Sequence, residues 1–390
     1  MGVLDRLGVR KVINACGTLT VLGSNRVSSR VLDAMREAAG SFIDMNELLI
    51  KSGEYIARML NVPGALVTSG AGAGLVLAIA AAITGGDVEK MSKLPFTDGM
   101  KNEVIVQYPH TVGNPYTYFI NIPGGRIRIV GSPNGVNEDD ISGAINENTA
   151  AILHFQYEPE RGEVPLSRVI DIAHEHNVPV IVDAAAELPP LVNLTRFIRM
   201  GADLVVFSGG KDIGAPGDTG LILANNLRLL DACRLMSPFS YINIHGQTRV
   251  FIGRVMKVSK EDIVALVAAL EEYTSVNHEE RLSLMNKMAD DVISELSSSF
   301  PNLKIEKRIN HEGERIRPVT VPKVEIKLPK NITELYIKLL KEGDPPIYAC
   351  ECDGNLCINM HTLSQEEVNI VVNRLKEVIN KYPPNSLSFT

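Results

Sequence analysis

Residues 180–187 are Val-Ile-Val-Asp-Ala-Ala-Ala-Glu, and residues 203–211 are Asp-Leu-Val-Val-Phe-Ser-Gly-Gly-Lys. Each stretch contains an apolar run that is followed by a charged side chain. Asp183 follows Val180–Val182, and Lys211 follows Leu204–Phe207 after Ser-Gly-Gly. Strands that are apolar on both faces are typical of a sheet covered by helices on both sides. Open α/β sheets bind their ligands at the carboxyl ends of such strands. We therefore expect an α/β fold with Asp183 and Lys211 at one edge of its sheet.

Short predicted strands alternate with helical segments from Gly64 to about Cys233. This alternation predicts a mostly parallel sheet in a large domain. Seven strands are predicted: Ala65–Thr68, Val104–Tyr108, Arg126–Val130, Ala150–Gln156, Val178–Asp183, Asp203–Ser208 and Gly220–Ala224. After Arg254, long helical periods and short strands predict a smaller α+β domain. The expected organisation is an N-terminal segment (1–45) packed on the other domains, a large domain (46–253) and a small domain (254–390).

Composition excludes several classes of protein. The 390 residues carry a formal charge of −7, which argues against a general affinity for nucleic acid. Apolar runs are shorter than the roughly 20 residues of a membrane span, and no apolar leader is visible at the N-terminus. Five cysteines without a leader fit a reducing compartment rather than a disulfide-built scaffold. We expect a cytoplasmic protein.

A lysine and an aspartate at neighbouring strand ends match what pyridoxal 5'-phosphate (PLP) needs. The Lys211 amine would form a Schiff base, and the Asp183 carboxylate would keep the pyridine nitrogen protonated. Ala185 and Ser208 flank the two charged residues and are expected to contact the cofactor. The alternative is a surface lysine and a helix-capping aspartate without a common ligand.

The segment Ser69-Gly70-Ala71-Gly72 lies between a predicted strand and an apolar helix. Small residues at a helix N-terminus let backbone N–H groups approach a phosphate, so we expect these four residues to bind the phosphate of PLP. A dinucleotide-binding turn is the alternative, but the glycine spacing differs from that motif.

Four segments carry a resemblance to a known family: Arg10-Lys-Val-Ile-Asn-Ala-Cys-Gly17, Leu22-Gly-Ser-Asn-Arg26, Ser208–Pro216 and Gly253–Glu261. They resemble the SelA-like group of fold type I PLP enzymes, which contains L-seryl-tRNA(Sec) selenium transferases and D-glucosaminate-6-phosphate ammonia-lyases. The resemblance extends from about residue 8 to the C-terminus. It implies an aspartate-aminotransferase-like fold, a homodimer or larger assembly with active sites at the subunit interface, and Lys211 as the Schiff-base lysine.

The resemblance to the selenium transferases is incomplete. This chain enters the shared core within its first dozen residues, and it has Ser-Gly-Gly-Lys where those enzymes have Ser-Gly-Asp-Lys. We therefore expect an ammonia-lyase type of α,β-elimination from a small amino acid or amino-sugar acid, through a Schiff base on Lys211. The alternatives are a selenium or sulfur transferase, a racemase or an aldolase on the same scaffold, and a binding protein without catalytic activity.

Four basic residues are candidates for binding an anionic substrate: Arg26, Arg254, Lys257 and Arg315. The resemblance associates the first three with anion binding near the cofactor. Arg254 and Lys257 are three residues apart, so on a helix they would share a face. Arg315 and its neighbour Arg317 precede a strand of the small domain, where fold type I enzymes often hold a substrate carboxylate. A solvated surface pair is the alternative for Arg254 and Lys257.

Two further side chains follow predicted strands on the same edge. His110 is expected to stack on the cofactor ring, with a plain loop histidine as the alternative, and Gln156 to contact the ring hydroxyl. Cys350, Cys352 and Cys357 flank a predicted hairpin turn. Because no fourth ligand has finger-like spacing, buried strand cysteines are expected there rather than a metal site.

Overall fold

The structure is a computed structural model that describes residues 2–156, 162–309, 318 and 320–384. The chain forms two compact units. The larger comprises residues 25–275, and the smaller comprises residues 1–24 together with 276–390. Among the described residues, no helix combines the length and the apolar character needed to cross a membrane.

The strands, in chain order, are β1 (Ile13–Ala15), β2 (Gly64–Thr68), β3 (Glu103–Gln107), β4 (Arg126–Val130), β5 (Thr149–Phe155), β6 (Val180–Asp183), β7 (Leu204–Ser208), β8 (Gly220–Ala224), β9 (Ile242–Ile244), β10 (Gln247–Arg249), β11 (Ile305–Arg308), β12 (Lys323–Ile326), β13 (Ile347–Cys352) and β14 (Asn355–Asn359). The α-helices are α1 (Val3–Arg6), α2 (Ser29–Ala39), α3 (Met45–Leu60), α4 (Gly70–Thr84), α5 (Val88–Lys93), α6 (Glu138–Ser142), α7 (Leu166–Glu175), α8 (Asn193–Arg199), α9 (Leu227–Leu235), α10 (Lys260–Ser275), α11 (His278–Ser299), α12 (Lys330–Glu342) and α13 (Gln365–Lys381).

The larger unit is built on a seven-stranded sheet in the order β2-β8-β7-β6-β5-β3-β4. β8 is antiparallel to both of its neighbours, and the other pairs are parallel. The prediction of a mostly parallel seven-stranded α/β sheet is therefore confirmed. Strands β2, β5 and β8 are buried at every position, because helices cover the sheet. Helix α4 is apolar nearly all round and packs on the strands at the centre of the sheet.

The smaller unit has a five-stranded sheet in the order β1-β13-β14-β12-β11. The N-terminal strand β1 pairs parallel with β13, and the other pairs are antiparallel. Apolar side chains of α11, α12 and α13 join the inner face of this sheet in a core of its own. The expected small α+β domain thus also contains a strand from the beginning of the chain.

The boundaries of the two units differ from the predicted domains 1–45, 46–253 and 254–390. Helix α2 packs along α10, where the Ser28 hydroxyl donates to the Glu272 carboxylate at 2.5 Å. These contacts assign residues 25–45 and the helix after Arg254 to the larger unit. Periodicity along the chain does not contain this information, because the two helices are more than 200 residues apart.

Cys350, Cys352 and Cys357 lie in strands β13 and β14 as expected, but the expectation of reduced cysteines is wrong for four of the five. Cys16 is bonded to Cys350, and Cys352 is bonded to Cys357. Cys233 is buried with a free thiol. Pairing of β1 with β13 brings Ala15 opposite Ala349 and so places Cys16 beside Cys350. The first bond therefore joins positions 334 residues apart.

We predict that protein purified without reductant carries one alkylatable thiol after denaturation, that of Cys233, and five after reduction. Reduction should lower the free energy of unfolding by about 2–4 kcal/mol per bond, because the unfolded chain gains freedom. Mass spectrometry of alkylated protein counts the thiols, and urea unfolding measures the stability. Five adducts without reductant would contradict the pairing, and Cys233→Ser, which should give none, is the control.

Candidate active site

Five strand ends of the larger unit meet at one edge of the sheet. Strands β3, β5, β6 and β7 are parallel, so their carboxyl ends point the same way. β2 joins this edge through β8, because Thr68 and Ser208 both pair with Gly220 at the start of β8. The last residues of these strands and the loops that follow them carry the predicted site residues of this unit, apart from Arg26, Arg254 and Lys257. The arrangement is the one in which open α/β sheets hold ligands.

Lys211 is presented by a loop that folds back on itself. The Gly209 N–H donates to the Thr219 carbonyl at 2.8 Å, and the Ala215 N–H donates to the Gly209 carbonyl at 2.9 Å. A Cβ at Gly210 would lie 2.5 Å from the Gly217 Cα, so only glycine permits this approach. The loop leaves Lys211 partly buried at the end of β7.

The Lys211 amine and the Asp183 carboxylate act on each other. Burial raises the pKa of Asp183. Two groups oppose this shift: the Ala185 N–H, which donates to Oδ1 at 3.0 Å, and the positive charge of Lys211. Burial lowers the pKa of Lys211, while the carboxylates of Asp183 and Glu187 oppose that shift. The two predicted catalytic groups thus share one site with little water. There the lysine amine loses its proton more readily than on the surface.

The N-terminus of α4 lies beside the end of β7. A Cβ at Gly220 would be 2.3 Å from the Gly70 carbonyl carbon, so the two backbones are in contact there. Gly70 itself has φ +86, and no atom lies within 4 Å of a Cβ built on it. At Gly72 a Cβ would be 2.9 Å from the Phe119 ring. Open space beside Gly70 at the N-terminus of α4 leaves room for an anion such as a phosphate group.

The Ser69 hydroxyl does not cap its own helix. It donates to the Met256 carbonyl at 2.9 Å and thereby ties this turn to segment 251–258. The same segment also packs closely on the backbone at Met236, because a Cβ at Gly253 would be 1.9 Å from the Met236 carbonyl oxygen. The basic residues Arg254 and Lys257 are therefore held near the N-terminus of α4.

Arg254 and Lys257 do not share a helix face, so the prediction from their three-residue spacing is wrong. Arg254 lies in a 3-10 helix, Ile252–Val255, and its guanidinium is 6.0 Å from the centre of the Tyr241 ring. Lys257 follows that helix and is exposed. Arg26 is also exposed, and its N–H donates to the Asn25 side chain at 2.8 Å. Arg315 and Arg317 lie outside the described residues.

His110 follows β3 and is fully buried. Its ring lies edge-on to His154, 4.5 Å between ring centroids, and its Nε2 is 3.6 Å from a carboxylate oxygen of Glu163. Burial and His110 hold the pKa of His154 well below its usual value. The predicted stacking on the cofactor would need an exposed face of the His110 ring, and the ring is fully buried here. The stacking therefore stays a prediction. The Gln156 N–H donates to the Asp183 carbonyl at 2.9 Å.

Three further side chains interact with residues at this edge of the sheet and were not predicted from the sequence. The Asn25 amide donates to the Lys211 carbonyl at 3.0 Å, and the Tyr273 hydroxyl donates to the buried Asp212 carboxylate at 2.7 Å. Glu187 is buried and acts on the charge of Lys211. Asn25 lies inside a quoted family segment and Glu187 four residues after Asp183, but no local pattern points to Tyr273. Among the described residues, no group of three or more His, Cys, Asp or Glu side chains could hold a metal ion.

Comparisons with known proteins agree with this geometry. The model of the DegT/DnrJ/EryC1/StrS aminotransferase family matches residues 134–306. The chain is 32% identical to the D-glucosaminate-6-phosphate ammonia lyase of Salmonella typhimurium, with 96% of this chain and 97% of that one covered. It is 31% identical to a 5'-C-glycyluridine monooxygenase-decarboxylase from a Streptomyces species, covering 96% and 91%.

A solved structure of a D-glucosaminate-6-phosphate ammonia-lyase superposes with a TM-score of 0.80 at 30% identity, over 98% of this chain and 99% of that chain. The chain belongs to the SelA-like family of fold type I PLP enzymes. Its cofactor is PLP, and its fold is of the aspartate aminotransferase type, as predicted.

The described residues of this SelA-like enzyme fit the cofactor. A partly buried amine with a lowered pKa can form an imine with an aldehyde, and a partly buried carboxylate can hold a protonated ring nitrogen. The open space at Gly70 lies at the N-terminus of a 15-residue helix, where a phosphate is stabilised by the helix dipole.

We predict that Gly220→Ala weakens PLP binding at least tenfold, because the added methyl group displaces the turn at Gly70. Titration of cofactor-free protein with PLP, followed by absorbance, measures the affinity. Gly40→Ala is the matched control, since its Cβ would meet only backbone oxygens at 3.7 Å and beyond. Equal affinities in the two variants would contradict the close approach.

A second prediction concerns the charge of Lys211 in cofactor-free protein. Its labelling by an amine-reactive reagent should reach half its maximum below pH 10.5, the ordinary lysine value, because burial favours the neutral amine. Asp183→Asn and Glu187→Gln should each move that midpoint lower, since both carboxylates stabilise the charged form. Peptide mapping measures labelling site by site, and the exposed Lys101 is the internal control. A midpoint for Lys211 at or above pH 10.5 would contradict this electrostatic account.

Proposed function

We propose that this PLP enzyme catalyses an α,β-elimination that releases ammonia from an amino-sugar acid or a small amino acid with an additional anionic group. The observation that carries the proposal is the electrostatic interaction of the Lys211 amine with the Asp183 carboxylate at neighbouring strand ends. It is supported by the similarity over nearly the whole chain to an ammonia lyase that acts on D-glucosaminate-6-phosphate.

We further propose how the chain holds its cofactor. Asp183 would bind the ring nitrogen, with its carboxylate oriented by the Ala185 N–H. The backbone of Ser69-Gly70-Ala71-Gly72 and the side chain of Ser208 would bind the phosphate, and Gln156 and His110 would complete the surroundings of the ring. When bound, PLP supplies an electron sink for negative charge that develops at the substrate's α-carbon.

Lys211 would move the proton in this reaction. Its lowered pKa leaves more of the amine neutral, so it can accept the proton of the α-carbon while its carboxylate neighbours stabilise the ammonium that results. The Cα–H bond and the bond from Cβ to its substituent break, and a carbon–carbon double bond forms. The substituent takes the electron pair of its bond and leaves with a proton, as water when it is a hydroxyl. After tautomerisation, water adds at the α-carbon, and ammonia and a keto acid are the products.

Substrate recognition would depend on basic side chains. Arg254 and Lys257 are held near the N-terminus of α4 through the Ser69–Met256 hydrogen bond, and Arg26 adjoins the Asn25 contact with Lys211. These groups, with Arg315, would bind a phosphate or carboxylate of the substrate. A chain with net charge −7 needs such a local basic group to attract an anion.

We propose that the enzyme is cytoplasmic in spite of its two disulfide bonds, which are rare in that compartment. We propose further that it is a homodimer or larger oligomer with interface active sites, without a nucleic-acid or membrane partner. Exposed apolar side chains of the larger unit, such as Phe42, Tyr118 and Val255, support an assembly. Light scattering of the purified protein measures its mass, and a monomer at micromolar concentration would contradict the assembly. Cell fractionation tests the location.

The reaction is tested by incubating holoenzyme with D-glucosaminate-6-phosphate and with other amino-sugar acids and amino acids. Elimination releases equal amounts of ammonia and keto acid. Exchange of the α-proton without ammonia would indicate a racemase, aldehyde release an aldolase, and dependence on a selenium or sulfur donor a transferase. Oxygen uptake with carbon dioxide release would match the activity named for the Streptomyces relative. Any of these outcomes without ammonia would overturn the proposal.

We predict that Lys211→Ala abolishes the absorbance band at about 420 nm of the purified protein and lowers ammonia release at least a thousandfold, because amine and base are lost together. Absorbance spectra and a coupled ammonia assay measure the two effects. Lys101→Ala, which removes an exposed lysine, should leave both unchanged. A band that persists in Lys211→Ala would show that another residue holds the cofactor.

A further inference from the structure

The loop that carries Lys211 is held from outside at two consecutive residues. The Asn25 amide donates to the Lys211 carbonyl at 3.0 Å, and the Tyr273 hydroxyl donates to the Asp212 carboxylate at 2.7 Å. Asp212 and Tyr273 are each only 4% exposed. A hydrogen bond to a buried carboxylate is strong, because little water can replace the donor.

Helix α10 supplies the Tyr273 donor and is hydrogen-bonded to the segment that carries Asn25. Its consecutive residues Glu271, Glu272 and Tyr273 bind three different parts of the larger unit. Glu271 accepts from the Tyr55 hydroxyl and the Arg30 guanidinium, and Glu272 accepts from the Ser28 hydroxyl. Ser28 lies three residues after Asn25. One turn of α10 therefore fixes both the donor to Asp212 and the segment that supplies the donor to Lys211.

The loop needs such anchors because of its composition. Gly209 and Gly210 precede Lys211, and glycine restricts the backbone less than any other residue. The lysine side chain adds four flexible carbons. A reacting group that is displaced by about 1 Å can lose on the order of a hundredfold in rate. Backbone restraint at residues 211 and 212 limits that displacement.

We propose that Asn25 and Tyr273 are positioning residues that hold the backbone of Lys211 and Asp212, so that the amine is placed over the site that Asp183 completes. The inference rests on the proposed role of Lys211. Neither residue touches the reacting atoms in this scheme. Their loss should therefore reduce kcat and disturb the environment of the amine. Loss of the Tyr273 hydroxyl should leave substrate affinity nearly unchanged, whereas Asn25 also accepts from the Arg26 backbone N–H, so its variant is judged by the environment of the amine alone.

The test compares Tyr273→Phe with Tyr55→Phe in the holoenzyme. Each substitution removes one hydroxyl that donates to a carboxylate, and α10 is involved in both, but only Tyr273 contacts the Lys211 loop. We expect Tyr273→Phe to lower kcat at least tenfold with KM changed less than twofold. The pH midpoint of the cofactor absorbance band should shift by at least half a unit, because the amine moves relative to Asp183. Tyr55→Phe should leave kcat and the midpoint unchanged.

Asn25→Ser provides an independent arm if Tyr273→Phe does not fold, and it should shift the same midpoint. The proposal is overturned if the folded variants differ from wild type only in melting temperature, or if Tyr55→Phe shifts the midpoint equally. Lys211→Ala separates the two levels of the argument. A cofactor band that survives in Lys211→Ala removes the proposed function, whereas a band lost there but unaltered in Tyr273→Phe and Asn25→Ser removes only the positioning role.

Discussion

Two opposite charges withdrawn from water constrain the larger unit of this enzyme. Burial disfavours the ionised forms of both Asp183 and Lys211, and each partly offsets the cost for the other. The two residues come from different strands, so the pair exists only while β6 and β7 stay in register, with Asp183 opposite Val206. The apolar sheet, the glycine turn before Lys211 and the α10 contacts all serve to hold that pair in place.

Backbone contact at the end of the sheet is the second constraint. Because β8 runs antiparallel between β2 and β7, its first residue, Gly220, adjoins the ends of both strands. The absence of a side chain there lets the turn at Gly70 approach, and α4 then starts beside the lysine loop. The two chain segments that would bind the phosphate and the aldehyde carbon of one cofactor are thereby adjacent.

Much of this could be predicted from the sequence, because the information is local. All seven strands of the large sheet were predicted within a few residues. Most are buried and apolar on both faces, and β4 at the sheet edge alternates polar and apolar residues. Asp183, Lys211 and the Ser69 segment follow such strands directly. The antiparallel direction of β8, the α2–α10 packing and the Tyr273 contact depend on residues far apart in the chain, and periodicity does not encode them. The same holds for the Cys16–Cys350 pair, and a three-residue spacing wrongly placed Arg254 and Lys257 on one helix.

The smaller unit takes its first strand from the beginning of the chain and its other strands from the end, with β1 paired to β13. Residues 25–275 are contiguous, so on the ribosome the cofactor-binding unit can finish folding while translation continues. The smaller unit must wait until β13 has emerged from the exit tunnel. During that interval the N-terminal strand has no partner, and Cys16 stays available to other thiols until its own partner, Cys350, has been synthesised.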